Sequence, residues 1–216
     1  GLRGIPSIAE EINIARDISV LEYTKGFLHI PTISSAKSVE LIRKAKSNKL
    51  NISCSVAIHN LFFHDDEIQN FNTNFKVSPP LRTSHDTKAL IAGLKDGTID
   101  MITSDHNPLN IELKNIEFDN ASFGTIGLES AFGALNMLFP IKTTINLLTR
   151  GKNIFGLDND FIKIGTIADL TLFNPLSEYI FKEESIFSKS KNSIFIGSKL
   201  KGKIHGVINK GLIELN

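Results

Sequence analysis

Six histidines are available for chemistry in this 216-residue chain: His29, His59, His64, His85, His106 and His205. His59 stands apart because it closes the apolar, β-branched run 52–58, which has the composition of a buried strand. Asp105 follows a second strand-like run, residues 100–103, and is followed at once by His106. An imidazole and a carboxylate at the same end of neighbouring strands are what a hydrolytic zinc site requires. The metal lowers the pKa of its bound water to about 7, and a carboxylate takes the proton. Taken singly, each residue has a plainer role, His59 as a hydrogen-bonded strand end and Asp105 as a cap for the next segment. A catalytic zinc normally has three protein ligands and one open position. His64, His85 and His205 lie in polar or loop settings and read as surface residues. Cys54, the single cysteine, sits inside an apolar run and reads as a small core residue.

Residues of these types need a frame. Ser7-Ile8-Ala9-Glu10 after Pro6 has the form of a capping box, so a helix begins there, with Ile8, Ile12, Ala15 and Ile18 on one face and Gly26 as its stop. A strand is expected over residues 27–33, a helix over 36–46, a strand over 52–58 and a loop or short helix over 61–73. Phe75-Lys76-Val77 reads as a short strand halted by Pro79-Pro80. Ser84 opens a helix running to Lys95, a strand covers 100–103, residues 109–123 form a long excursion, and helices cover 128–138 and 142–150. Strands alternating with helices at this pitch imply a parallel sheet. Four such strands make half of a (β/α)8 barrel, and an open doubly wound sheet fits the same periodicity. In either architecture Thr32, Ser34, His59, Asn60, Ser78, Asp105 and His106 fall at the end of the sheet where sites are built.

Past residue 160 the texture changes. An alternating strand around residues 168–175 and strands over 203–208 and 211–215, turned by Asn209-Lys210-Gly211, form a small β appendage. Residues 177–200 are a long connection, and the mildly basic stretch 189–203 reads as a solvated loop. The expected division is therefore 1–160 and 161–216.

Composition narrows the class. With 41% hydrophobic residues, 22% charged and a net charge of +1, the chain resembles an ordinary globular domain. It lacks the basic face of a nucleic-acid binder. One cysteine fits a reducing compartment, and no run approaches the ~20 apolar residues of a membrane span. These features are expected of a cytoplasmic protein. The start, Gly1-Leu2-Arg3, lacks Met and looks like the middle of something longer.

Several blocks, in order, resemble the dihydroorotases of the cyclic amidohydrolase superfamily. They are Gly4-Ile5-Pro6-Ser7-Ile8-Ala9-Glu10-Glu11, Asn74-Phe75-Lys76-Val77 with Pro79-Pro80-Leu81-Arg82, Asp96-Gly97-Thr98-Ile99-Asp100 with Ser104-Asp105-His106, and Phe123-Gly124-Thr125-Ile126-Gly127-Leu128-Glu129. Ala168-Asp169-Leu170 and Gly211 resemble the family's β appendage. The resemblance spans essentially the whole chain and implies the C-terminal half of a (β/α)8 barrel, strands five to eight, plus the appendage. It implies a zinc-dependent enzyme of pyrimidine synthesis that interconverts N-carbamoyl-L-aspartate and L-dihydroorotate. Carried over residue by residue, it makes Asp105 the catalytic base and a metal ligand and His59 a second ligand. It makes Asn60, Ser78, Arg82, His106 and Gly124 substrate-facing. The family's His-x-His pair and its carboxylate or carboxylated lysine belong to regions this chain does not contain.

Three family positions carry other residues. Thr32 stands where a ligand histidine is expected, and its neutral hydroxyl is a weak zinc ligand. His29 is three residues earlier, on the opposite face of the strand. Ser78 replaces a substrate-contacting Asn, and Leu109 replaces a carboxylate-binding His. Two further readings therefore stay open beside the working enzyme. One is a catalytically degenerate subunit with a structural or regulatory role beside aspartate transcarbamoylase, or in a homo-oligomer. The other is a hydantoinase- or allantoinase-like enzyme. A small-molecule substrate is expected in the catalytic readings, and neither nucleic acid nor membrane in any.

Overall fold

The structure, a computed structural model, describes residues 4–68, 70–157 and 162–215. Helix α1 (Ser7–Thr24) leads into strand β1 (Leu28–Ile30) and helix α2 (Ala36–Ser47). Strand β2 (Ile52–Ala57) runs directly into the short helix α3 (Ile58–Phe62). Helix α4 (Ser84–Lys95) precedes strand β3 (Met101–Thr103), and helices α5 (Leu128–Leu138), α6 (Ile141–Thr149) and α7 (Gly151–Ile154) follow. The strands form one parallel sheet in the order β1-β2-β3, with Ile30 opposite Cys54 and Ser55 opposite Met101. All six residues of β2 are buried, as a central parallel strand covered on both faces requires. Helices α2 and α4 pack so closely that a Cβ on Gly93 would stand 3.0 Å from Val39 and 3.1 Å from Ile99. At the opposite end of the sheet from the rim, Lys46 pairs with Asp100 at 2.6 Å, and Asp100 also accepts from the Cys54 amide at 2.8 Å. Cys54 is fully buried, as its apolar neighbourhood predicts, and burial pushes its thiol up to about 12.

Several local expectations are corrected. Helix α1 starts at Ser7, but Pro6 is its N-cap and Ser7 caps nothing. Glu10 turns away from its own helix and is consumed by the loop after β1. The face buried on α2 carries Ile14 and Leu21, while Ile8 and Ile12 stay exposed. Lys25, not Gly26, takes the left-handed position that ends the helix. Thr83, not Ser84, caps α4, closing a capping box with Asp86. Phe75-Lys76-Val77 is not a strand. Thr73–Phe75 is a 3-10 turn, and the next residues lead into the cis Ser78-Pro79 bond. The place beside β2 is taken by β3, so the parallel sheet has three strands among the described residues rather than four. An isolated parallel bridge, His106 to Thr125, extends it past β3.

The second sheet is antiparallel, in the order β4 (Asp169–Ile180), β5 (Lys199–Asn209), β6 (Leu212–Leu215). The turn between β5 and β6 puts Lys210 at φ +48° and Gly211 at φ +86°, the two-residue hairpin geometry whose twist matches its strands. Strand β4 continues through Pro175, where the register with β5 jumps between Asn174 and Glu178. The connection is accordingly shorter than residues 177–200, and it is only partly solvated. Phe181, Ile186, Asn192, Ser193, Ile194 and Phe195 are buried. The Phe195 ring meets those of Phe62 and Phe63 at 5.4 and 5.1 Å, so this segment closes the barrel core behind α3. The expected division near residue 160 falls on residues outside the described set.

Candidate functional site

The run of β2 into α3 places His59 in the first turn of a helix rather than at a strand end. Its ring is fully buried, and neither Nδ1 nor Nε2 has a hydrogen-bond partner. Burial alone holds the imidazole neutral, lowering it to about 4. Asp105 sits two residues past β3, half-buried, in the left-handed region at φ +46°. Its amide donates to Thr103 Oγ1 at 3.1 Å, and burial raises its carboxyl above the ordinary range. Asp105 Oδ2 lies 3.9 Å from His59 Nε2. That is too long for a hydrogen bond. It is wider than the roughly 3.3 Å between tetrahedral ligands that each stand about 2 Å from one ion, so sharing an ion requires the two groups to close by about half an ångström. A buried polar nitrogen normally finds a partner, and two orphans on one ring mark a functional group rather than a packing residue. The neutral ring is also the metal-binding form. His59 and Asp105 therefore fit a divalent metal such as zinc.

The other positions divide into two groups. Thr32 lies at the same rim, also left-handed, at φ +47°. Its amide donates to Ser55 Oγ at 3.1 Å. Thr32, Ser78 and Arg82 line one cavity of about 400 Å3 together with Glu10. Arg82 Nε donates to Ser34 Oγ at 3.0 Å, and its Nη1 reaches the Ile5 carbonyl at 2.5 Å. Glu10 is the centre of this group. It accepts from the Ser34 amide at 2.8 Å, the Ser35 amide at 3.2 Å and Ser38 Oγ at 2.5 Å, and from the Ser34 hydroxyl. One carboxylate thus locks the loop after β1 onto α1, at the N-terminus of α2 where negative charge is favoured. Asn60 is buried and donates to the Pro80 carbonyl at 3.2 Å, which ties α3 to the Pro79-Pro80 turn.

His106 and Leu109 point into the second group. His106 Nδ1 accepts from the Gly127 and Leu128 amides, each at 3.3 Å, at the start of α5. Gly124, at φ +141°, lies so close to Asn107 that a Cβ would collide with its side chain. Leu109 is held by its main chain, its amide 3.1 Å from Ser190 Oγ and 3.2 Å from Asn192 Oδ1. Asn192 also donates to the Asn107 carbonyl at 3.1 Å and the Gly124 carbonyl at 3.3 Å. Neither the Glu10 cluster nor Asn192 was indicated by the sequence. Glu10 has the spacing of a local cap, and Asn192 sits in a polar connection. His29 bonds Ser53 Oγ at 2.7 Å and meets Phe155 edge-on, away from the rim, so it does not substitute for Thr32. His64 groups with Asp65 and Asp66, their ligand atoms within 4.8 Å of one another, but exposed carboxylates on a surface turn are common without an ion. Among the described residues no helix is long and apolar enough to cross a membrane.

Residues 3–213 match the model of the amidohydrolase family. The chain is 43% identical to a dihydroorotase of Caldicellulosiruptor saccharolyticus, over 99% of this chain and 51% of that one. It is 44% identical to a dihydroorotase of Endomicrobium trichonymphae, over 94% and 50%. The chain thus spans about half the length of the curated relatives it matches. Among solved structures the fold is similar to an L-hydantoinase (dihydropyrimidinase) from Arthrobacter aurescens. The TM-score is 0.88 at 22% identity, covering 98% of this chain and 51% of that one.

Proposed function

The chain belongs to the amidohydrolase family, and on that premise we propose that it is the C-terminal part of a metal-dependent dihydroorotase. Its reaction is the reversible conversion of N-carbamoyl-L-aspartate to L-dihydroorotate, and its curated relatives carry that name. The observation that carries the reading is His59, buried with two unpartnered nitrogens, 3.9 Å from the Asp105 carboxylate at the barrel rim. In this reading His59 and Asp105 hold zinc, and further ligands come from the half of the relatives that this chain does not span. When bound, zinc polarises the scissile carbonyl and supplies hydroxide from water near neutral pH. Asp105 takes the proton from the attacking water and returns it to the ring nitrogen as the C–N bond breaks. Ser78, Arg82 and Asn60 shape the rim around the substrate, while His106 and Gly124 act by fixing the start of α5 and the loop before it. Residues 1–160 supply the C-terminal half of the barrel, with β1, β2 and β3 as its parallel strands, residues 161–216 the appendage, and the protein is cytoplasmic.

A second reading is a degenerate subunit held for structure, partnered with aspartate transcarbamoylase or with itself. Thr32 and Leu109 favour it, because neither supplies the ligand or the cation expected at its place. A hydantoinase-like specificity has only fold-level support, at 22% identity. Zinc analysis and L-dihydroorotate hydrolysis on the intact protein separate these. Bound zinc with turnover that vanishes in Asp105→Ala supports the enzyme. Absence of both, with a co-purifying transcarbamoylase, supports the subunit.

A further inference from the structure

The richest unassigned feature lies beside the rim rather than at it. Lys76 and Lys114 staple the excursion after β3 to the segment before Ser78. Lys114 is buried, and its Nζ donates to the Thr73 and Lys76 carbonyls at 2.8 and 3.1 Å. Lys76 Nζ donates to the Phe118 and Asp119 carbonyls, both at 2.8 Å, and stands 4.9 Å from the centre of the Phe123 ring. Neither lysine belongs to an ion pair among the described residues. Two neighbouring ammonium groups therefore share a part-buried setting with carbonyl dipoles but no counter-charge. Burial first, and Lys76 second, depress Lys114 to about 8. A buried cation without a carboxylate is costly, and that cost falls when an anion joins it.

Lys114 is among the residues lining a cavity of about 830 Å3, within the range of small-ligand sites. Lys189 and Lys191 line the same cavity, against Glu112 and Glu183, so its charge is positive by one. Ser190 and Asn192 form part of its wall, and both are already fixed to Leu109.

We propose that this cavity is a binding site for a small anion, a phosphate or a dicarboxylate, held by Lys114 with Lys189. His59 and Asp105 do not line it, whereas Leu109, at the place of the family's carboxylate-binding histidine, forms part of its wall. The cavity joins the excursion 109–123 to the turn before Ser78, so occupancy stiffens two loops that border the rim.

Isothermal titration of the full chain with inorganic phosphate and, separately, with succinate at constant ionic strength tests this. The expected result is saturable one-site binding of at least one probe, and the probe that binds identifies the chemistry. Lys114→Gln should weaken it by about tenfold and exposed Lys189→Gln by about threefold, as loss of a charge-assisted contact implies. Lys88→Gln, on α4 and outside the cavity, should leave it unchanged. If Lys114→Gln does not fold, Lys189→Gln decides alone. No saturable binding of either probe, or wild-type affinity in the folded variants, overturns the proposal.

Discussion

At the ends of β1 and β3, Thr32 and Asp105 adopt nearly the same left-handed backbone, at φ +47° and +46°. For Asp that conformation is tolerated, and for a β-branched residue it is an outlier. Asp105 uses it to set a half-buried carboxylate 3.9 Å from His59. Thr32 uses it only to pass its amide to Ser55. The rim's backbone is thus held by its surroundings, Ser55 below and the Glu10 cluster beside, whether or not the side chain presented there can hold a metal. Ligand chemistry and rim geometry are separable in this chain, and variants at the two ends should respond differently.

The largest effect is expected at the chemically equipped end. His59→Leu should abolish zinc uptake and flatten the acid side of the stability profile. In the metal-free chain the buried imidazole titrates near 4 rather than 6.5. As pH falls from 6.5 to 4 the unfolded chain therefore protonates first, and the native state loses stability. Above 6.5 there is no such contribution. Urea unfolding at pH 7 and pH 4 should show wild type losing about 3 kcal/mol more than His59→Leu over that interval. Equal losses would mean the ring is not buried neutral. At the other end, Thr32→His should raise the intact protein's zinc affinity by about 100-fold, measured by chelator competition, because it restores an imidazole at a family ligand position. No gain would place the end of β1 outside the metal's reach.

Glu10→Ala removes the acceptor for two amides and two hydroxyls and should cost about 2 kcal/mol in urea unfolding. A loss below about 0.5 kcal/mol would show that the loop after β1 holds its shape unaided. The smallest effect belongs to Thr32→Gly. Relief of left-handed strain should stabilise the chain by about 1 kcal/mol, raising Tm by about 2–4 °C and leaving zinc affinity unchanged.

His59 and Asp105 were legible as a pair because polar residues that close buried strands are conspicuous in sequence. Their surroundings were not. The left-handed turn at Asp105 leaves no mark when the residue is not glycine. Glu10 matches a local capping pattern, and only tertiary packing shows that the loop after β1 takes its carboxylate instead. Phe75-Lys76-Val77 has strand composition, yet the place beside β2 went to β3, and strand pairing is decided by partners rather than by propensity. The connection between β4 and β5 looked solvated because Lys and Ser dominate it. Its scattered Phe181, Ile186, Ile194 and Phe195 carry no helical or strand period, although they close the core.

The most direct test of the central claim is zinc stoichiometry after equilibrium dialysis of the intact protein, which carries the remaining ligands, as wild type, His59→Ala, Asp105→Ala and Thr32→Ala. The account predicts one zinc per chain in wild type and Thr32→Ala, and none in His59→Ala or Asp105→Ala. Zinc retained by the His59 and Asp105 variants, or absent from wild type, would contradict it.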